Sequence, residues 1–234
     1  YLQQYWTDKV RGVKNVTLWF RSSANNATWT AWMSYGTDSV SPWSWSFSFP
    51  NGSAFYQFRT TSWDNALNEE AAPTTADEIC AYDIVKPTIA DTSALTGTTG
   101  DAFVIRATVA DNLELVNAYA IYWFGTGAET NATMTGSPRT LSVNIPSNST
   151  LTLHYRIAAV DKAGNWNATA AKSVTITDND PPVANGGLND IVEAGALVFF
   201  NASGSTDNIG IASYSWTITH NGTTVVLTGI NASF

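Results

Sequence analysis

Charge is scarce in this sequence. Eleven Lys and Arg and 19 Asp and Glu make up 13% of 234 residues and leave a net charge of −8. An average soluble domain carries about 25% charged residues. A mildly acidic chain without a basic patch repels phosphate backbones, so nucleic acid is excluded as a partner. Cysteine occurs once, at Cys80, which excludes an internal disulfide framework and a cysteine-built zinc site. Two histidines leave little room for a histidine-rich metal centre. No apolar run approaches the roughly 18–20 residues of a membrane span. The longest, Ala118–Phe124 and Ala194–Phe200, fit buried strands. The sequence opens at Tyr1, and no basic segment followed by an apolar one comes after it. These residues are therefore expected to be a piece of a longer polypeptide.

Hydroxyls, amides and aromatics are abundant. Ser and Thr together number 52, Asn 20 and Trp 10. At 44% hydrophobic residues, the chain has too much apolar surface to stay disordered.

Internal similarity sets the domain count. An Asp-bearing turn followed by an apolar-alternating strand begins at Asp8, Asp111 and Asp207, at intervals of 103 and 96 residues. A second pattern links Phe55–Asp64 with Thr152–Asn165, at a spacing of 97. A period near 100 residues is the size of an immunoglobulin-like sandwich. Trp43, Trp45, Phe47 and Phe49 alternate with serines, and period two puts the aromatics on one face. Ala102–Ala110, Leu151–Val160 and Lys172–Thr177 are rich in β-branched or aromatic residues. Turn residues mark 50–52, 125–127, 161–165 and 221–222. No segment carries a sustained helical stripe, and 68–77 reads as a polar loop. The fold class predicted is all-β, a tandem of immunoglobulin-like β-sandwich modules. Prolines at 87, 181 and 182 stop strand ladders and stiffen linkers. They place module boundaries at 1–85, 86–179 and 180–234. The middle module has segments for seven strands. The first begins at its second strand, with Leu2, Gln4 and Trp6 on one face. The third ends after about four strands.

The third module resembles the polycystic-kidney-disease (PKD) repeat of microbial surface proteins. Pro181-Pro-Val-Ala-Asn-Gly-Gly187, Phe200-Asn-Ala-Ser-Gly-Ser-Thr-Asp-Asn208 and Ser213-Tyr-Ser-Trp216 carry the resemblance. The first two modules look like the Ig-like or fibronectin-like repeats beside PKD repeats in archaeal and bacterial surface proteins. There the carriers are Gly12–Phe20, Ser41–Phe47, Tyr82–Pro87 and Tyr155–Asn165. The first module departs where Asp64-Asn-Ala-Leu67 replaces the usual glycine-bearing turn. The resemblance implies an extracellular stalk, coat or adhesive surface. It does not imply an enzyme, because such repeats act as spacers in many unrelated proteins.

Three constellations carry candidate function. Nine Asn-X-Ser/Thr sequons occur, at Asn15, Asn26, Asn51, Asn131, Asn148, Asn167, Asn201, Asn221 and Asn231, where composition alone gives about four. They are candidates for N-linked glycans, and Asn15, inside a strand, needs an outward-facing position. Loop aspartates come next. In an Ig sandwich the loops after the second and sixth strands meet where the chain enters. Asp111 and Asp161 are thus expected near Asp83, and Asp178 and Asp180 near Asp207. Such oxygens suit calcium, although each Asp also serves as a cap for its own turn. Asp8 and Asp64 form a weaker pair. The third constellation is tryptophan. Seven of ten lie before residue 64. Most read as core, while Trp29 and Trp32, three apart, face opposite sides of an ideal strand and offer a partner or glycan surface.

Single residues complete the reading. Tyr155 is placed as a tyrosine-corner residue, His154 as a surface strand residue, and Cys80 as a small buried hydrophobe. No nucleophile elbow or acid–base constellation is found, and Glu69-Glu70 lies in a loop. The function expected is a non-catalytic extracellular array within a surface coat, stalk or filament. Its partners would be neighbouring copies, other surface proteins or glycans. The alternative is a carbohydrate-binding accessory region of a secreted enzyme.

Overall fold

The computed structural model describes residues 2–3 and 12–234, and all their extended regular structure is β. Residues before 85 form β1 (Leu2–Gln3), β2 (Val13–Ser23), β3 (Met33–Asp38), β4 (Ser44–Trp45), β5 (Ala54–Asp64) and β6 (Glu78–Tyr82). One sheet runs in the order β3-β2-β5-β6, and β1 pairs with β4. The next strands are β7 (Thr88–Asp91), β8 (Thr96–Thr98), β9 (Ala102–Ala110), β10 (Leu115–Phe124), β11 (Thr130–Thr133), β12 (Arg139–Asn144), β13 (Leu153–Asp161), β14 (Trp166–Ala168) and β15 (Lys172–Thr177). They form a sheet β12-β9-β7 and a sheet β11-β10-β13-β15-β8, with β14 added to β13. The last four are β16 (Phe199–Asn201), β17 (Ser215–His220), β18 (Thr223–Thr228) and β19 (Asn231–Ser233), paired β16–β19 and β17–β18.

The sheet order is that of immunoglobulin-like β-sandwiches. Among residues 88–177, β9 pairs with β12 in one sheet, while β10, β11, β13 and β15 make the other. The set β3-β2-β5-β6 repeats the order β11-β10-β13-β15. The entering segment of the middle set divides its pairing. β7 joins β9, and β8 then runs parallel to β15, with Thr175 opposite Thr96. Gly97 leaves room for the side chains packed beneath it, since a Cβ there would lie 2.6 Å from Ile145 Cδ1 and 3.1 Å from Ile176 Cδ1.

The chain packs as two compact units. One holds Tyr1–Ala90, Thr108–Tyr119 and Ile157–Thr169, the other Asp91–Ala107, Ala120–Arg156 and Ala170–Phe234. In the first unit Leu18, Phe20, Ala54, Tyr56 and Phe58 form a buried cluster. Trp45, Phe47 and Phe49 cover it, so three of the four alternating aromatics share one face. Only Ser44–Trp45 of that stretch has ladder pairing. Cys80 packs against the same cluster, and burial pushes its thiol pKa up. Tyr56 donates to the Gly52 carbonyl at 2.8 Å, four residues upstream. That is the tyrosine-corner bond.

In the second unit Phe103, Ile105 and Ala107 are buried on β9 while Val104 faces out. Each fully buried side chain of the Ile or Phe class contributes roughly 1.5–3 kcal/mol. Tyr155 is not a corner residue. Its hydroxyl donates to Asp91 Oδ2 at 2.8 Å, and Lys172 Nζ reaches the same oxygen at 2.8 Å. The stretch 194–200, expected as a buried strand, pairs only from Val198 onward: Val198 exchanges backbone bonds with Phe234, and Phe199 and Phe200 pair with β19. Phe199 is 77% exposed. Its ladder partner β19 is three residues long, and Phe200 on the opposite face packs on Trp216 at 5.1 Å. The pairing face assigned to Gln4 and Trp6 lies outside the described residues, as does Asp8.

Burial and the adjacent Asp91 carboxylate push the Tyr155 hydroxyl up to about 12. A raised pKa contributes stability below the unfolded value near 10, lost as pH rises through the folded one. Burial would raise the Asp91 carboxyl, but hydrogen bonds from Lys172, Ser93 and Tyr155 outweigh it and hold the pKa low. Its contribution is lost as pH falls through that lowered value. Tyr155→Phe is expected to cost about 1.5–3 kcal/mol in urea melts near neutral pH. It should also flatten the loss of stability that the natural chain shows between pH 10 and about 12. A variant with wild-type urea midpoint and alkaline slope would show that this bond carries nothing.

Candidate functional site

Asp83 follows β6, Asp111 follows β9, and Asp161 ends β13. The structure brings the three together: one carboxylate oxygen of each lies within 4.8 Å of the others. Local chemistry fixes each in place. Asp83 Oδ1 accepts from Val85 N at 2.9 Å and from Asn112 Nδ2 at 3.2 Å. Asp111 Oδ2 accepts from the backbone of Leu113 and Glu114, both at 3.0 Å. Asp161 is 2% exposed, and Asn165 closes its turn through N on Oδ1 and Nδ2 on Oδ2. Asn165 Nδ2 also reaches the Asp83 carbonyl at 3.2 Å. The turn-capping role and the clustering therefore coexist.

The second group assembles differently. Asp178 Oδ1 lies 2.9 Å from Thr99 Oγ1, the donor, and 3.1 Å from Asn208 Nδ2. Asn208 Nδ2 also meets Asp180 Oδ2 at 3.0 Å, the Ser147 carbonyl at 2.7 Å and Thr99 Oγ1 at 3.3 Å. Asp207 uses Oδ2 to accept from Ile209 N and Gly210 N. Its neighbour Asn208 supplies the amide that joins Asp178 and Asp180. Thr99, Ser147, Asn112 and Asn208 were missed by sequence reasoning. An Asn immediately after each of Asp111 and Asp207 was the available signal. Asp64 caps its own turn through Ala66 N and Asn68 N at 2.8 Å.

Trp29 and Trp32 lie in an irregular segment before β3, so strand alternation does not apply to them. Both pack on one guanidinium: Arg21 Cζ is 5.3 Å from the Trp29 ring centre and 4.6 Å from that of Trp32. Arg59 lies 4.4 Å from Trp32 and 5.9 Å from Trp19. Register explains the set. Trp19 stands opposite Arg59 on β2 and β5, and Arg21 opposite Gln57. The arginines escaped sequence reasoning because their partners are defined only by that register.

The sequons fall into two groups. Asn26, Asn131, Asn148, Asn201, Asn221 and Asn231 are exposed with, among the described residues, no side-chain partner for Nδ2 outside their own turn, while Asn51 is exposed but has its amide engaged. Asn51 Nδ2 donates to Ser22 Oγ at 2.7 Å, and Asn167 Nδ2 to the Pro87 carbonyl at 2.8 Å. Asn15 is half-buried with Oδ1 shielded from solvent. The His154 ring stacks on Trp123 at 5.4 Å, with Nδ1 3.0 Å from Ser173 Oγ on the neighbouring strand. Glu70 Oε2 accepts from the Ser62 backbone and hydroxyl.

No family model matches the chain, and no curated protein matches it. Among solved structures it is similar to the fibronectin(III)-like modules of Clostridium thermocellum CbhA. Identity there is 15%, over 73% of this chain and 80% of that one, with a TM-score of 0.33. It is also similar to the chicken CNTN1 FN1-FN3 domains, at 10% identity over 97% of this chain and 80% of that one, TM-score 0.37. The assignment to immunoglobulin-like sandwiches rests on the sheet order itself.

Proposed function

We propose that this chain is a non-catalytic, extracellular structural or adhesive array. Its modules meet near residues 85 and 180, and it serves in a cell-surface coat, stalk or filament. The observation that carries the reading is the repeated strand order. β3-β2-β5-β6 and β11-β10-β13-β15 are the same four-strand arrangement. The pairs β16–β19 and β17–β18 match β9–β12 and β10–β11 in chain order. Repetition of one sandwich unit is what a spacer needs and what a single catalytic cleft does not. Resemblance of residues 181–216 to PKD repeats supports a microbial surface setting. The exposed sequons support a glycoprotein, because glycans would keep a sparsely charged surface in solution. Neighbouring copies or other surface proteins are the partners this reading gives.

The competing reading, a carbohydrate-binding accessory region, needs free aromatic faces. The Trp32 ring is instead packed by two guanidiniums. Glycopeptide mapping of the chain secreted from an N-glycosylating host is expected to find sugar on Asn26, Asn131, Asn148, Asn201, Asn221 and Asn231. Asn15, Asn51 and Asn167 should stay largely bare. Occupancy confined to those three would reverse the reading of the surface. In the same preparation Trp32→Ala is expected to cost about 1–2 kcal/mol in denaturant melts, from two cation–π contacts of about 0.5–1 each. The natural chain should wash off insoluble polysaccharide. Retention that Trp32→Ala abolishes would instead assign the carbohydrate-binding role.

A further inference from the structure

We infer that Asp83, Asp111 and Asp161 bind one hard divalent cation of the calcium class. This goes beyond the structural reading above and is independent of it, because that reading rests on strand order. Oxygens at about 2.3–2.6 Å from a shared calcium ion lie at most about 5 Å apart. The three carboxylates meet that limit, with one oxygen of each within 4.8 Å of the others.

Burial separates the cluster from a chance gathering of surface acids. Asp161 is 2% exposed. Asp111 Oδ1 is shielded from solvent and accepts no hydrogen bond, while Oδ2 of the same group caps the turn. A carboxylate oxygen in that state is costly unless a donor or cation meets it. The nearest cation in sequence to Asp161 is already paired. Lys162, next to Asp161, holds Glu114 with Nζ 2.8 Å from Oε2. The other ion pairs among the described residues are Arg156–Glu129 and Lys172–Asp91. Three carboxylates this close repel one another, and a divalent ion turns that repulsion into attraction.

The donor set decides the metal. All three side chains offer oxygen, which suits calcium and magnesium and disfavours zinc or copper. The carboxylates come from three separate segments with irregular spacing, which suits the flexible shell of calcium over the strict octahedron of magnesium. A bound ion ties the segment after β6 to the turns after β9 and β13. Asn112 and Asn165 hold two of the ligands in place.

Calorimetric titration of the whole chain with calcium chloride tests this, beside thermal melts in calcium, magnesium and EDTA. Binding at about 0.1–1 mM is expected, in the range of extracellular modules. Saturating calcium should raise the melting temperature by roughly 5 °C over EDTA, with a smaller effect from magnesium. Asp83→Asn and Asp111→Asn should each remove one equivalent of bound calcium, whereas Asp178→Asn should leave that equivalent in place. Circular dichroism checks that the variants are folded. If either fails to fold, protection of the 83–87 segment from proteolysis by calcium in the natural chain takes its place. No heat and no melting shift at about 10 mM calcium, well above that affinity range, would overturn the assignment. So would a stoichiometry unchanged in both folded variants, or proteolysis indifferent to calcium.

Discussion

The buried carboxylate of Asp91 sits where the entering segment must leave one sheet for the other. A strand that changes sheets gives up ladder partners, and buried backbone groups left unpaired are expensive. Asp91 meets that constraint at Ser93 N and anchors the crossover with three further bonds to side chains. Oδ1 accepts from Ser93 N at 2.9 Å and Ser93 Oγ at 2.7 Å, and Oδ2 receives Tyr155 and Lys172. Its side chain is 5% exposed, so these bonds operate away from water and each is stronger than a surface pair. The crossover then lets β8 pair in parallel with β15 and close that edge.

The strands with regular alternation were legible in the sequence. Ala102–Ala110 and Lys172–Thr177 fold with the limits read from their residues, and Leu151–Val160 folds as Leu153–Asp161. Period-two patterning reports burial on one face, and these strands have such a face. The same logic overreached at 194–200, where pairing begins only at Val198 and Phe199 faces solvent while Phe200 packs on Trp216. It also placed the tyrosine corner on Tyr155 rather than Tyr56. Both tyrosines are fully buried on equivalent strands. What separates them is the acceptor, a carbonyl four residues upstream for Tyr56 and a distant carboxylate for Tyr155. Sequence proximity shows the first and hides the second.

At the candidate sites, loop topology was legible and side-chain identity was not. Knowing which loops meet is enough to bring Asp83, Asp111 and Asp161 together. It is not enough to choose between adjacent polar residues. Asp207 looks like the counterpart of Asp111, and both use Oδ2 to cap the turn they begin. In both turns the following Asn reaches across: Asn112 Nδ2 to Asp83, Asn208 Nδ2 to Asp178. A short side chain cannot be assigned by periodicity when neighbours in one turn point in different directions.

The two clusters use one plan and end in different chemistry. Asp111-Asn112 recurs as Asp207-Asn208, and Asp83, four residues before Pro87, recurs as Asp178, four before Pro182. In the first cluster the third position is Asp161, a buried anion. Negative charge accumulates there, and one oxygen of Asp111 has no donor. In the second, the Asn208 amide nitrogen stands among four oxygens: Thr99 Oγ1, the Ser147 carbonyl, Asp178 Oδ1 and Asp180 Oδ2. An amide nitrogen carries only two protons, so those oxygens share an insufficient supply. Asp178 and Asp180 are exposed, so their remaining lone pairs stay open to solvent. At Asp161 burial removes that option, so Asn165 meets both of its oxygens, through N on Oδ1 and Nδ2 on Oδ2.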